Sequence, residues 1–170
     1  MQAIKMLTLS LAAGLLSINL AHADVCADIR AINAQAQSHF DGWKKEGADR
    51  TYASNFMLDG ADSCSIGGNS NSYSCVWKFA TPVDLGRAYA KMVGEIKACP
   101  PLEKEAPGIV NDKPDDKTQG DLRRQLEVTG FDYGDAQALV MIGSMQLTGG
   151  KTGVSRNELK FSFVKSSGRH

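Results

Sequence analysis

The sequence predicts a small α+β protein in which two helices pack on a five-stranded, mainly antiparallel sheet. Two segments have the spacing of amphipathic helices, and five segments alternate apolar and polar residues, in the order α-β-β-α-β-β-β. Four cysteines add two disulfides to this prediction. The chain has 170 residues, which suits one ordinary domain behind a leader.

The N-terminal segment has the three parts of a secretory signal peptide. Lys5 gives a positive start, positions 6–20 are an apolar run, and positions 21–23 have the small-x-small pattern of a cleavage site. The sequence therefore predicts a cleaved signal peptide over 1–23 and a single domain over 24–170. Since the apolar run is about 15 residues and a spanning helix needs roughly 20, we expect no membrane anchor and a periplasmic or secreted protein.

The cysteines indicate disulfides, because an even number in an exported chain is typical of a disulfide framework. Three pairings are possible, and we favour Cys64–Cys75 across a hairpin and Cys26–Cys99 between two helix ends. A zinc site is the alternative. It is disfavoured because the chain has no C-x-x-C motif and few histidines.

The two helices are predicted from periodicity and from their end signals. A helix over about 26–45 would place an apolar stripe on one side. The second helix should begin at Thr81 and Pro82, which supply an N-cap hydroxyl and a first-turn proline, and it should end before Pro100. The stripe of the first helix consists of Ile29, Ile32, Ala36, Phe40 and Trp43.

The last three predicted strands should form an antiparallel meander with both helices on one face, because short turn-forming links join them. The strand over 139–147 is apolar on both sides. It is either central and covered on both faces, or it forms a surface for a partner. The five predicted strands cover about 52–58, 73–79, 125–129, 139–147 and 159–163.

Residues 100–121 are predicted to be a long Pro-rich loop, because four of the five prolines of the chain lie there. A connection of this length is usually functional or disordered. A second loop is predicted in the polar run at 67–72, between the cysteines of the hairpin.

Several kinds of chemistry have no support in the sequence. Loss of Lys5 with the leader changes the formal net charge from +0 to about −1, and no Lys/Arg-rich run exists, so we expect no nucleic-acid binding. The chain has no G-x-S-x-G motif, and the acidic residues near 112–121 lack the spacing of an EF-hand. We therefore expect no cofactor, no metal and no catalytic residues.

These observations predict an exported, disulfide-stabilised protein-binding module, such as a periplasmic inhibitor or a toxin-immunity protein, that blocks another envelope or secreted protein through its loops. The alternatives are a small-ligand binder with a cavity between helices and sheet, and a hydrolase with two convergent carboxylates. The candidate binding residues are Asn69, Asn71, Tyr73, Trp77, Glu103, Asp112, Asp115 and Asp116.

Overall fold

The computed structural model describes residues 24–48, 50–68, 71–150 and 153–166. The predicted leader and the candidate residue Asn69 lie outside these ranges. The helices are α1 (Val25–Ala36) and α2 (Pro82–Lys97). The strands are β1 (Lys44–Ala48), β2 (Thr51–Ser54), β3 (Ser63–Gly67), β4 (Asn71–Phe79), β5 (Gly108–Gln119), β6 (Leu122–Tyr133), β7 (Ala138–Gly149) and β8 (Val154–Lys165).

The eight described strands form one antiparallel sheet in the order β1-β2-β3-β4-β8-β7-β6-β5. The prediction of two helices on a mainly antiparallel sheet is confirmed. The five strands and the order α-β-β-α-β-β-β were wrong, because the described chain has the order α-β-β-β-β twice. The two halves join where β4 pairs with β8, from Asn71 opposite Lys165 to Phe79 opposite Asn157.

The predicted Pro-rich loop over 100–121 is the main correction, since residues 108–119 of that segment form the edge strand β5. Pro114 lies inside the register shift between Asp112 and Asp115. A proline is tolerated at an edge or a bulge, where its missing N–H breaks no ladder hydrogen bond. Charged residues are also typical of edge strands, because they discourage further pairing. The prolines and charged residues of this segment therefore suit an edge strand as well as a loop.

The first predicted helix was too long, because α1 ends at Ala36 and residues 44–48 form β1. His39 and Phe40 adopt left-handed backbone conformations, with φ of 53° and 60°, and these reverse the chain. Phe40 nevertheless becomes fully buried, with its ring 6.1 Å from that of Tyr73. The turn thus buries the same apolar residue that the helical periodicity placed in the core.

The second helix begins as predicted. The hydroxyl of Thr81 accepts a hydrogen bond from the Asp84 backbone N–H at 3.1 Å, and Pro82 is the first residue of α2. This cap satisfies one of the N–H groups that a helix start leaves unpaired. Both helices lie on one face of the sheet, and their buried residues form one core with the inward side chains of the central strands.

Both predicted disulfides are confirmed. Cys26–Cys99 joins the start of α1 to the residues after α2, and Cys64–Cys75 joins directly opposite residues of β3 and β4. The described residues contain no free cysteine. Disulfides of this kind indicate maturation in an oxidising compartment outside the cytoplasm.

Candidate functional site

Three of the candidate binding residues lie on β4, and the structure places each of them in different surroundings. Tyr73 is fully buried and donates a hydrogen bond to the Phe56 carbonyl at 2.9 Å, so it belongs to the core. Trp77 is 8% exposed and lines a cleft on the helix side of the sheet. Asn71 is half-buried, and its side-chain oxygen accepts from His39 Nδ1 at 2.5 Å.

The acidic candidates also lie apart from one another. Glu103 is exposed in the link between α2 and β5. The bulge in β5 places Asp112 and Asp115 on the face of the sheet opposite the helices, as their cross-strand neighbours show. Asp116 lies on the other face, where it forms an ion pair with Arg123 at 2.5 Å. The predicted set therefore does not form one site.

The sheet face opposite the helices, called here the open face, has an apolar centre. It carries alternate side chains of the long strands β6, β7 and β8. Val128 of β6 lies opposite Gly143 of β7, which lies opposite Lys160 of β8, and Leu126 and Met145 occupy the next row. These apolar side chains are half-buried by one another, and no described residue covers them.

A depression of about 270 Å³ lies at the centre of the open face. Gly143 forms its floor, because a residue without a side chain leaves a gap between Met141 and Met145 along the strand. A Cβ atom built on Gly143 would lie 3.8 Å from Val128 Cγ2, which is ordinary van der Waals contact. The depression is thus an open hollow between long apolar side chains.

The charges of the open face differ between its two ends. Arg156 lies opposite Leu147, Leu147 opposite Arg124, and Arg124 opposite Lys117, which gives one end three cations. Asp115 offsets one of these charges, at 3.0 Å from Lys117 and 3.5 Å from Arg124.

The other end of the open face carries one acidic side chain. Asp132 lies there and is exposed, whereas the exposed Asp112 lies opposite Val128 in the central row. The face therefore has a basic end, a centre where Lys160 and Glu158 carry opposite charges, and a far end where Asp132 is acidic.

A second hollow, called here the helix cleft, lies on the opposite side of the sheet between α1 and α2. Its volume is about 180 Å³. Asp28, Asp59, Lys91 and Glu95 are its charged residues. Its apolar wall contains Val25, Leu58, Trp77, Phe79, Ala88, Met92 and Leu159.

One wall of the helix cleft is held in place by hydrogen bonds to a turn. Trp77 Nε1 donates to the Asp59 carbonyl at 3.0 Å, and the Lys78 backbone N–H donates to Asp62 Oδ2 at 2.7 Å. Gly60 has a φ of 67°, which suits a residue without Cβ and closes the turn. The indole ring therefore has a fixed position.

Asp28 is the half-buried acid of the helix cleft. Burial raises the pKa of its carboxyl above the ordinary value, and the negative charges of Asp24 and Asp59 raise this pKa further. Within the described residues, no hydrogen bond or ion pair compensates the Asp28 carboxylate. The ionised form is therefore less favourable in the folded protein than in water.

Replacing Asp28 by asparagine is expected to stabilise the protein at pH 7, by less than about 1 kcal/mol because solvent screens a half-buried charge. A raised folded-state pKa means that stability falls as pH rises from the ordinary value of 3.8 through the folded value. The variant lacks this loss of stability, so the free energies of unfolding of the two proteins should converge near pH 3. Urea unfolding at both pH values measures the difference, with Asp132→Asn as the exposed control. A variant that is less stable at pH 7 would contradict the expectation.

Sequence reasoning missed most of the residues of both hollows. The doubly apolar strand at 139–147 was the one signal for the open face, and the helices cover only one side of it. No local pattern pointed to Asp28, because the turn that brings Asp59 near it comes from a distant part of the chain.

Among the described residues, no group of three or more His, Cys, Asp or Glu side chains is placed to hold a metal ion. Neither helix in the described ranges has both the length and the apolar character needed to cross a bilayer. Comparison of the chain with protein families, curated proteins and solved structures finds no match.

Proposed function

We propose that this protein is an exported, disulfide-stabilised binding module that docks another envelope or secreted protein on the open face of its sheet. The observation that carries the proposal is the apolar centre of this face, which no described residue covers. Exposed apolar patches bounded by polar residues are typical of protein-interaction sites. The leader-like N-terminal sequence supports export to the periplasm or the medium.

The size of the open face supports a protein as the occupant. The four strands β5 to β8 each have 12 residues. At about 3.3 Å per residue and about 4.8 Å between strands, they form a face of roughly 40 by 19 Å, or about 750 Å². A stable protein complex buries about 800 Å² on each partner, so this face alone is of the right size.

The chemistry of the face defines the partner. The hollow at Gly143 can take one projecting apolar side chain, and Met141 and Met145 can adapt their shape around it. The basic end at Arg124 and Arg156 favours acidic groups on the partner. The opposite end at Asp132 favours a basic group, so charge sets the orientation of the complex.

The proposed binding surface lies on the sheet, whereas the sequence predicted that the loops bind the partner. The segment 100–121 was expected to block a partner as a loop, but most of it is β5. A rigid sheet loses little conformational entropy on binding, which favours affinity. A periplasmic inhibitor or a toxin-immunity protein could work in this way.

The test uses two matched glycine substitutions in protein produced from the full chain. Gly143→Glu fills the hollow with a charged side chain, whereas Gly94→Glu adds the same side chain on the exposed surface of α2, where a Cβ meets nothing within 4 Å. Proteins retained from an envelope extract are identified, and the candidate partner is purified and titrated against each variant. We expect at least about tenfold weaker binding by Gly143→Glu alone.

Three results would overturn the proposal. The first is equal binding of the purified partner by both variants. The second is a dimer in sedimentation analysis that Gly143→Glu dissociates, because a second copy would then cover the open face. The third is protection of this face from hydrogen exchange by residues 1–23 of the same chain.

A further inference from the structure

The helix cleft is large enough for a small molecule. Its volume of about 180 Å³ exceeds the roughly 150 Å³ of an apolar cavity that binds benzene. Seven apolar side chains contribute to its wall, and the hydrogen bond from Trp77 to the Asp59 carbonyl fixes the largest of them. The cleft can therefore hold one apolar group of about the size of a benzene ring.

The charges of the helix cleft determine which sign of charge a ligand should carry. Three carboxylates line it, those of Asp28, Asp59 and Glu95, against the single ammonium of Lys91. Lys91 Nζ lies 3.8 Å from Glu95 Oε1, so its charge is already offset. The other two carboxylates leave the cleft with an excess of negative charge, and Asp24 adds to it from the start of α1.

The walls and the charges point to the same kind of molecule. A cation beside Asp28 would compensate a carboxylate that has no partner within the described residues. An aromatic ring of the ligand can pack against the Trp77 indole, because aromatic pairs gain more than their buried area alone provides. We propose that the helix cleft binds a small organic cation whose apolar body lies against Trp77 and Phe79.

Benzylamine tests the proposal, with benzyl alcohol as its neutral counterpart of nearly equal shape. Binding is followed by two-dimensional NMR through the indole N–H of Trp77, on the oxidised protein produced from the full chain. We expect benzylamine to shift this resonance at millimolar concentrations and to bind about tenfold more tightly than benzyl alcohol. Asp28→Asn should remove this preference, whereas Asp132→Asn on the opposite face should keep it.

Equal binding of the two compounds would overturn the proposal, as would an unchanged Trp77 resonance or an unchanged preference in Asp28→Asn. The stability measurement on Asp28→Asn shows that the variant folds. Gly143→Glu, on the other side of the sheet, should bind benzylamine like the natural protein. Failure of the open-face proposal and failure of this one are therefore separate results.

Discussion

Replacing Phe161 by alanine is expected to lower the free energy of unfolding by about 3–5 kcal/mol, the usual cost of removing a buried phenylalanine ring. Phe161 is fully buried in the centre of β8. It lies opposite Cys75 of β4 on one side and Ile142 of β7 on the other, and its ring meets the Tyr73 ring edge-on at 6.5 Å. The substitution therefore leaves a cavity where the two halves of the sheet join.

Urea unfolding of the oxidised protein measures this loss, and Lys160→Ala is the matched control. Lys160 is the preceding residue on the same strand, but it is exposed on the open face. Exposed substitutions usually change stability by no more than about 0.5 kcal/mol. A loss below about 1 kcal/mol for Phe161→Ala would contradict the packing described for this core.

The parts of the fold that the sequence predicted are those with strong local signals. The start of α2 depends on Thr81 and Pro82, which act on the backbone next to them. The strands β6, β7 and β8 have clear alternation and short links, so their antiparallel order follows from the chain alone. The disulfide Cys64–Cys75 follows from a hairpin between two nearby cysteines.

The missing strands have no such signal. β1 and β5 lie at the two edges of the sheet, and their polar sequences resemble those of loops. β3 is short and contains Ser63 and Ser65, so its sequence could not be distinguished from the polar run that follows. Each becomes a strand because it pairs with a neighbour, and that pairing is a tertiary effect.

The candidate sites were harder to predict than the fold. Trp77 was chosen as an aromatic residue that could anchor a partner, but it lines the helix cleft instead. Gly143 gave no signal, because its effect depends on the side chains around it rather than on its own chemistry. A hollow is a property of several strands in register, and periodicity within one strand does not reveal it.

The two disulfides should contribute unequally to stability, because they close loops of different length. Cys26–Cys99 spans 73 residues and Cys64–Cys75 spans 11. In the chain-entropy account, a crosslink stabilises by restricting the unfolded chain, by about 4 kcal/mol for the long loop and about 3 kcal/mol for the short one. We therefore expect Cys26→Ala/Cys99→Ala to unfold at lower urea than Cys64→Ala/Cys75→Ala.

The structure gives a second reason to expect that losing Cys26–Cys99 lowers stability more than losing Cys64–Cys75. Cys26–Cys99 ties α1 to the end of α2, two elements that otherwise share few contacts, whereas Cys64 and Cys75 are already opposite residues of a paired hairpin. Neighbouring strands hold the second pair together after the bond is lost, but little else holds the helix ends. Urea unfolding of the natural protein in the presence of a reducing agent measures the stability that is lost when both disulfides are broken. A larger loss for the short-loop variant would show that strain or local packing at the hairpin, rather than loop length, controls the contribution of each disulfide.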